Sequence, residues 1–296
     1  MGALFMTLLA LAASHPGQHA TIGVSAATLW QTPRSPRAID APALRNPVDL
    51  DAWNRNLAST TVRAGLGGRV VTQALYGEKV IVLAVKHGWA KVAVPDQPSP
   101  LDRRGYPGWL PLRQLATDYD RSGQVLTVVT RKATLYLGTR KLVLSYGTRL
   151  PVTGARSAGA WSVRTPDGPG WIFRSKLATP PRLTGAHIVP EAKRFIGLRY
   201  LWGGTSAWGF DCSGLVWDVF HAVGKTVPRD TGPQSRAGKR VTGALRPGDL
   251  VFYGSPATHV AIVAGNGMMV ESPDSAHSVR LVPLRPGYSA ARRYVG

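Results

Sequence analysis

Hydrophobic positions fall along the chain in two rhythms, and the change between them divides it. Up to about residue 178, apolar residues come in short runs that alternate with polar ones and stop at glycine. That is the pattern of half-buried strands closed by tight turns. Such runs occupy 22–30, 69–75, 79–85 and 89–94, with Tyr76-Gly77-Glu78 and Lys86-His87-Gly88 as turns. Residues 49–56 read as a short helix, and 95–107 as a proline-rich loop leading into Gly108-Trp109. A second series of strands follows at 125–129, 133–137, 141–144, 149–152, 160–164 and 170–173. The two series share an order of landmarks: Trp89, Gly108-Trp109, Leu115 in one, and Trp161, Gly170-Trp171, Leu177 in the other. A small all-β domain occurring twice in tandem is therefore expected, followed by a Thr179-Pro180-Pro181 linker.

Beyond the linker, helix and strand patterns mix. Residues 187–196 read as a helix, and 215–224 are apolar at helical spacing with Gly224 as the stop. Residues 250–253, 259–263 and 267–272 read as strands, the last two joined through Ala264-Gly265-Asn266 as a hairpin. An α+β domain is expected, with a helix packed on an antiparallel sheet. At the other end, residues 2–13 form an apolar run of secretory-signal length, too short to span a bilayer as a helix. Export is the expectation, with a buried N-terminal helix or strand as the alternative. The organisation expected is a signal segment at 1–20, β domains at 21–118 and 119–179, and the α+β domain at 180–296.

Composition changes this picture in two ways. The chain has 36 Lys and Arg against 16 Asp and Glu, a formal charge of +20. Such a field favours polyanionic surroundings, but the basic residues are scattered and no zinc-finger, basic-zipper or RNP-type pattern occurs. A cell wall or acidic substrate is preferred to nucleic acid, and no stable membrane span is expected. The single cysteine excludes an intrachain disulfide and a cysteine zinc cluster. No metal or organic cofactor is implied.

That cysteine, Cys212, stands between Asp211 and Ser213 at a helix start. Helix N-termini favour thiolates, although a lone cysteine is more often buried and inert. A nucleophile needs a base and a group that orients the base. His259 opens one strand and Glu271 lies in the next, so a hairpin can bring them side by side. Glu271 would accept the imidazole N–H. His15, His19, His87, His187, His221 and His277 lack such a partner pattern.

Tyr200-Leu201-Trp202-Gly203-Gly204, Asp211-Cys212-Ser213-Gly214-Leu215-Val216, Arg246-Pro247-Gly248-Asp249-Leu250-Val251-Phe252 and His259-Val260-Ala261-Ile262-Val263 occur in that order. Together they resemble the NlpC/p60 cell-wall cysteine peptidases over residues 186–296. The resemblance implies a papain-like fold in which Cys212 attacks, His259 is the base, and a polar third residue, here Glu271, follows. Tyr200 matches the family tyrosine whose hydroxyl helps bind the oxyanion, though a core aromatic is the plainer alternative. The β series resemble two bacterial SH3-like barrels, an arrangement similar to the γ-D-glutamyl-L-diamino acid endopeptidases.

That likeness implies further roles. Arg229-Asp230-Thr231 stands where the subgroup has Arg-Asp-Ser, which helps to bind the free amine of an N-terminal L-Ala. Asp230 and Thr231 would do so here, closed in by Glu78 and Tyr106 of the first barrel. A turn glutamate and a loop tyrosine are the plainer alternative for that last pair. Trp202 would wall the cleft, with Asp211 and Ser213 near the scissile bond. Thr258 replaces a histidine frequent in the subgroup. The expected partners are peptidoglycan stem peptides or murein fragments, with anionic wall polymers beside them. The expected place is the cell envelope or outside it, a cytoplasmic recycling role being the alternative. Competing functions are a non-catalytic wall-binding protein and an N-acetylmuramoyl-L-alanine amidase or acyltransferase on a related fold.

Overall fold

The computed structural model describes residues 16–180 and 183–295. The expected signal segment's apolar run at 2–13 lies outside the described residues, as do His15 and Pro181.

The first β unit comprises β1 (His19–Ile22), β2 (Ala26–Trp30), β3 (Val70–Leu75), β4 (Lys79–Lys86), β5 (Trp89–Val94), β6 (Tyr106–Pro111) and β7 (Leu115–Ala116). They form one antiparallel sheet in the order β3-β2-β6-β5-β4-β1-β7. The apolar run at 22–30 is split because its two parts need different partners: β1 pairs with β4 and β7, β2 with β3 and β6. The stretch expected as a loop to residue 107 already turns into strand at Tyr106. Its prolines are tolerated because β2 meets β6 only at Trp30↔Trp109. Gly105 makes this entry possible. It has φ +132°, and a Cβ there would lie 2.1 Å from the Val94 carbonyl oxygen.

Helices α1 (Leu50–Asn56) and α2 (Thr60–Ala64) fill the connection between β2 and β3. Trp30, Trp53, Leu57 and Leu66 bury a core there, completed by Leu201 and Trp208 from the last unit. Buried Asp40 holds it in place, accepting from Trp53 Nε1 at 2.8 Å and from Arg37.

The second β unit contains β8 (Val125–Val128), β9 (Lys132–Leu137), β10 (Arg140–Ser145), β11 (Arg149–Ser157), β12 (Ala160–Thr165), β13 (Gly168–Phe173) and β14 (Leu177–Ala178). Its order, β10-β9-β13-β12-β11-β8-β14, is that of the first sheet with each strand replaced by its counterpart. The shared landmarks in the sequence thus correspond to a shared strand order.

The last unit holds α3 (Gly185–Lys193), β15 (Thr205–Ser206), β16 (Gly209–Phe210), α4 (Cys212–Ala222), α5 (Thr231–Arg236), β17 (Lys239–Arg240), β18 (Leu250–Tyr253), β19 (His259–Gly265), β20 (Met268–Glu271), β21 (Arg280–Pro283) and β22 (Ala290–Arg293). Six strands form an antiparallel sheet in the order β17-β22-β18-β19-β20-β21. Every residue of α4 is buried, as its apolar composition on all sides requires. It lies against β19 in a core with Phe195, Phe220, Phe252 and Ile262. The helix expected at 187–196 starts and ends earlier. Strands β17, β21 and β22 escape a reading of hydrophobic alternation because arginine and lysine interrupt it.

Gly105→Ala should lower stability by about 1–3 kcal/mol, the usual cost of a strained backbone position. Gly159→Ala, where a Cβ meets nothing within 4 Å, should stay within about 0.5 kcal/mol of wild type. Urea unfolding midpoints of the two variants check the difference.

Candidate active site

Cys212 is the first residue of α4, and Asp211 is its N-cap. Asp211 Oδ1 accepts from the Gly214 amide at 2.6 Å, and Oδ2 from the Gly203 amide at 2.9 Å. Glycines are required around it. A Cβ on Gly214 would sit 2.0 Å from the Gly204 carbonyl oxygen, so the helix start and the Trp202-Gly203-Gly204 turn touch backbone to backbone.

Arg229, 1 % exposed, grips the same carboxylate: Nη2 donates to Oδ2 at 2.8 Å and Nη1 to Oδ1 at 3.1 Å. Nη1 also donates to Ser213 Oγ, and Nε reaches across to Thr72 Oγ1 of the first unit at 2.9 Å. Thr72 in turn donates to Gln97, Gln97 donates to the Gln73 carbonyl, and Gln73 Oε1 accepts from the Thr205 amide and the Ser206 hydroxyl. Asp211 borders the cleft, but both of its oxygens are taken up in holding this frame. Capping and tethering are thus added to its expected place beside the cleft.

His259 and Glu271 meet on one face of the sheet. Tyr253 is opposite His259 and Arg280 opposite Glu271 in the strand registers, and β20 brings Glu271 diagonal to His259. His259 Nε2 lies 2.7 Å from Glu271 Oε2, which leaves Nδ1 as the nitrogen for sulfur. Burial pulls the imidazole pKa down, but Cys212 and Glu271 outweigh it and raise it to about 9. Burial pushes Glu271 up, yet His259, Arg285 and Arg280 together hold it well below the usual carboxylate range. Thr231 Oγ1 is 3.5 Å from Cys212 Sγ.

Cys212 and Thr231 open onto a cleft of ≈ 370 Å³ bordered also by Tyr106, Tyr200, Trp202, Ser213, Asp230 and Thr258. Val70, Val71 and Tyr106 line it from the first β unit, so that unit is a wall of the cleft. The Tyr106 hydroxyl donates to Asp230 Oδ1 at 3.2 Å. Asp230 is raised above its ordinary value by burial, against the nearby Arg229. Trp202 stands on the rim, 45 % exposed. Tyr200 is buried, and burial with the negative charges of Asp211 and Cys212 keeps its phenol protonated. Arg63, invisible as a site residue in the sequence, holds the Tyr200 carbonyl at 2.9 Å from α2. Among the described residues, no group of three or more His, Cys, Asp or Glu is placed to hold a metal ion.

Glu78 is not in this cleft. It faces a separate cavity of ≈ 240 Å³ where the two β units meet α4, with Tyr76, Asp96, Arg149 and His221. Its position after a turn points it under the second β unit rather than toward Tyr106. Both of its carboxylate oxygens are buried without a hydrogen-bond partner, as are those of Asp218. Burial, then Asp96, pushes Glu78 up to about 8; burial, then Glu78 and Glu191, raises Asp218. Burial also pulls His221 down to about 4, and its ring stacks on Trp217 at 4.5 Å. His277, for its part, does have a carboxylate, Asp274 at 2.8 Å, but no cysteine.

An acid whose pKa is higher folded than unfolded holds its proton better in the native state, so stability falls as pH rises between the two values. Glu78 sets that window from its ordinary value of 4.5 to about 8. His259, raised from its ordinary 6.5 to about 9, loses its own contribution between those two values. Glu78→Gln should therefore flatten the loss of stability that begins near pH 5, while leaving the His259 share between about 6.5 and 9 in place. Urea unfolding across that range, for wild type and variant, reads the difference.

Residues 197–295 match the NlpC/P60 family, and residues 62–115 match the bacterial dipeptidyl-peptidase Sh3 domain. The chain is 36 % identical to the γ-D-glutamyl-L-lysine dipeptidyl-peptidase of Bacillus cereus over 333 aligned residues, covering 100 % of this chain and 99 % of that protein. It is equally 36 % identical to the Bacillus subtilis enzyme of the same name, over 277 aligned residues covering 89 % and 93 % of the two chains. A crystal structure of an NlpC/P60 family protein from Bacillus cereus superposes with a TM-score of 0.89 at 36 % identity, covering 94 % of this chain and all of that one. Matched over its whole length, the chain belongs to the NlpC/P60 family of peptidases and carries a bacterial SH3 domain ahead of the peptidase domain.

Proposed function

We propose that the protein is a cysteine endopeptidase cutting the bond between γ-D-Glu and the diamino acid of peptidoglycan stem peptides. The diamino acid is meso-diaminopimelate or L-Lys, and a free N-terminal L-Ala is preferred. One observation carries this: an imidazole held by a carboxylate stands beside the only cysteine, and that cysteine lines a cleft it shares with a buried carboxylate, Asp230. The Bacillus relatives, named as γ-D-glutamyl-L-lysine dipeptidyl-peptidases, support the choice of bond.

Cys212 attacks the γ-carbonyl as thiolate while His259 carries the proton. The oxyanion that forms is met by the Tyr200 hydroxyl and the Cys212 amide; each such donor contributes a few kcal/mol in enzymes of this kind. His259 then gives its proton to the departing amine, the C–N bond breaks, and a thioester remains. Water, deprotonated by His259, releases the acid and restores the thiol. Asp230 receives the α-ammonium of L-Ala, with the Thr231 hydroxyl beside it and Trp202 as the outer wall. A charged pair is a good use of a carboxylate that burial has stripped of water.

The second β unit, at 119–179, is a second SH3-like domain in this proposal, supported by the strand order it shares with the first. The charge of +20 suits a wall rich in anionic polymers, with the envelope as the place of action. No helix of the described residues is long and apolar enough to cross a membrane. A non-catalytic wall-binding role would leave the aligned Cys212, His259 and Glu271 without use.

Cys212→Ala should abolish hydrolysis of L-Ala-γ-D-Glu-diamino acid peptides; turnover by the pure variant would remove the peptidase assignment. Wild type should release L-Ala-D-Glu, read by mass spectrometry, whereas an amidase would act only on muramoyl-linked substrate. Acetylating the N-terminal amine should cut kcat/KM by a factor of about ten or more, since Asp230 loses its cation. Equal rates would separate Asp230 from recognition. Because His259 must be protonated to expel the amine, kcat should fall as pH rises through about 9.

A further inference from the structure

We infer that Arg280 and Arg285 are positioning residues for the reacting pair: they neutralise Glu271 and fix its carboxylate plane, so that it serves His259 as a charge-compensated acceptor. This rests on the assignment of Cys212 and His259 as nucleophile and base.

The Glu271 side chain is fully buried, and its two oxygens together receive five donors. Oε1 accepts from Arg280 Nε at 3.0 Å, Arg280 Nη2 at 2.8 Å and Arg285 Nη1 at 2.9 Å. Oε2 accepts from Arg285 Nη2 at 2.8 Å and from His259 Nε2 at 2.7 Å. Arg285 therefore spans both oxygens, and a spanning guanidinium sets the plane of the carboxylate. With that plane set, the remaining lone pair of Oε2 aims at the imidazole. The carboxylate cannot turn without breaking the fork.

Other groups facing Glu271 fit this arrangement. From β18, Tyr253 lies under the Arg285 guanidinium at 4.7 Å and donates its hydroxyl to the Arg285 carbonyl. The same ring is 6.0 Å from that of His259. Beyond β20, Asp274 acts on Arg280 only at longer range. One carboxylate and two guanidiniums carry a net positive charge, and a guanidinium cannot be deprotonated in this setting. The imidazolium thus sees an oriented acceptor, not an unbalanced anion. A lone buried glutamate would bind the imidazolium too firmly, or take its proton, and either would slow transfer to the leaving amine.

Cys212 is the only cysteine, so its alkylation by iodoacetamide reads the thiol–imidazole pair with no substrate present. The variants are Arg280→Met and Arg285→Met, each made with Glu271 retained and with Glu271→Gln. With Glu271 retained, each should lower kcat about tenfold with KM changed less than about twofold, as coupled neighbours do. The basic limb of both the alkylation and the kcat profile should rise by about one pH unit. With Glu271→Gln, the same substitutions should change kcat less than about twofold, because no charge is left to compensate. Arg285→Lys should keep the limb where it is while kcat falls, since charge returns without the fork. If the Met variants do not fold, this Lys variant and Arg280→Lys carry the test. Equal losses in the two backgrounds, or a limb that does not move in the Met variants, would overturn the inference. Wild type that alkylates as described but leaves the peptide intact would instead sink the peptidase assignment and spare the arginines.

Discussion

The ion pair between Arg229 and Asp211 is the contact on which the rest of the site depends. A guanidinium with almost no solvent contact is tolerated only when nearly every donor is used, and here the partners include Asp211, Ser213 and Thr72. Removing one member of such a buried pair typically costs about 3–5 kcal/mol, because an unpaired charge is left behind. The pair does more than stabilise. Asp211 is the cap that starts the helix carrying Cys212, and Thr72 belongs to the first β unit. One guanidinium therefore sets the sulfur against the helix and the helix against the barrel that walls the cleft.

Two buried glutamates illustrate how environment overrides residue type. Glu271 is surrounded by donors and stays ionised; Glu78 has none and is pushed toward its neutral form. Desolvation acts on both in the same direction; hydrogen bonds and cations then hold Glu271 ionised, whereas Glu78 has Asp96 nearby instead. Their separation keeps the chemistry at the start of α4 and the unpartnered acids away from it. Asp218, about two turns along α4 from Cys212, feels the charge of Glu78.

Much of the cleft was legible from local pattern. Cys212 is preceded by a capping aspartate, and His259 and Glu271, 12 positions apart, lie in two strands joined by a short turn, so their meeting follows from hairpin geometry. The pairing of Tyr106 with Asp230 was reachable only through the family likeness, since 124 positions separate them. Glu78 was misplaced because a turn glutamate looks alike whether it faces solvent, a cleft or a second β unit. Arg280 and Arg285 gave no signal in the sequence: the register of β20 with β21 sets Arg280 opposite Glu271, and Arg285 reaches the same carboxylate from just beyond β21. Arg229 was passed over beside the aspartate that follows it, because burial of a guanidinium is a property of the folded surroundings.

The repeated strand order bears on how the cleft comes into being during synthesis. Its lining runs from Gln31 to Thr258, and the carboxylate that holds His259 is completed by arginines later still. A nascent chain that has exposed only Cys212 therefore has neither its base nor the arginines that orient it. Of the two like-ordered sheets, only the earlier one supplies cleft residues, and it is made first. The residues of that wall are thus made before the nucleophile can work, its core waits for Leu201 and Trp208, and proteolytic competence arrives only when the last strands have closed.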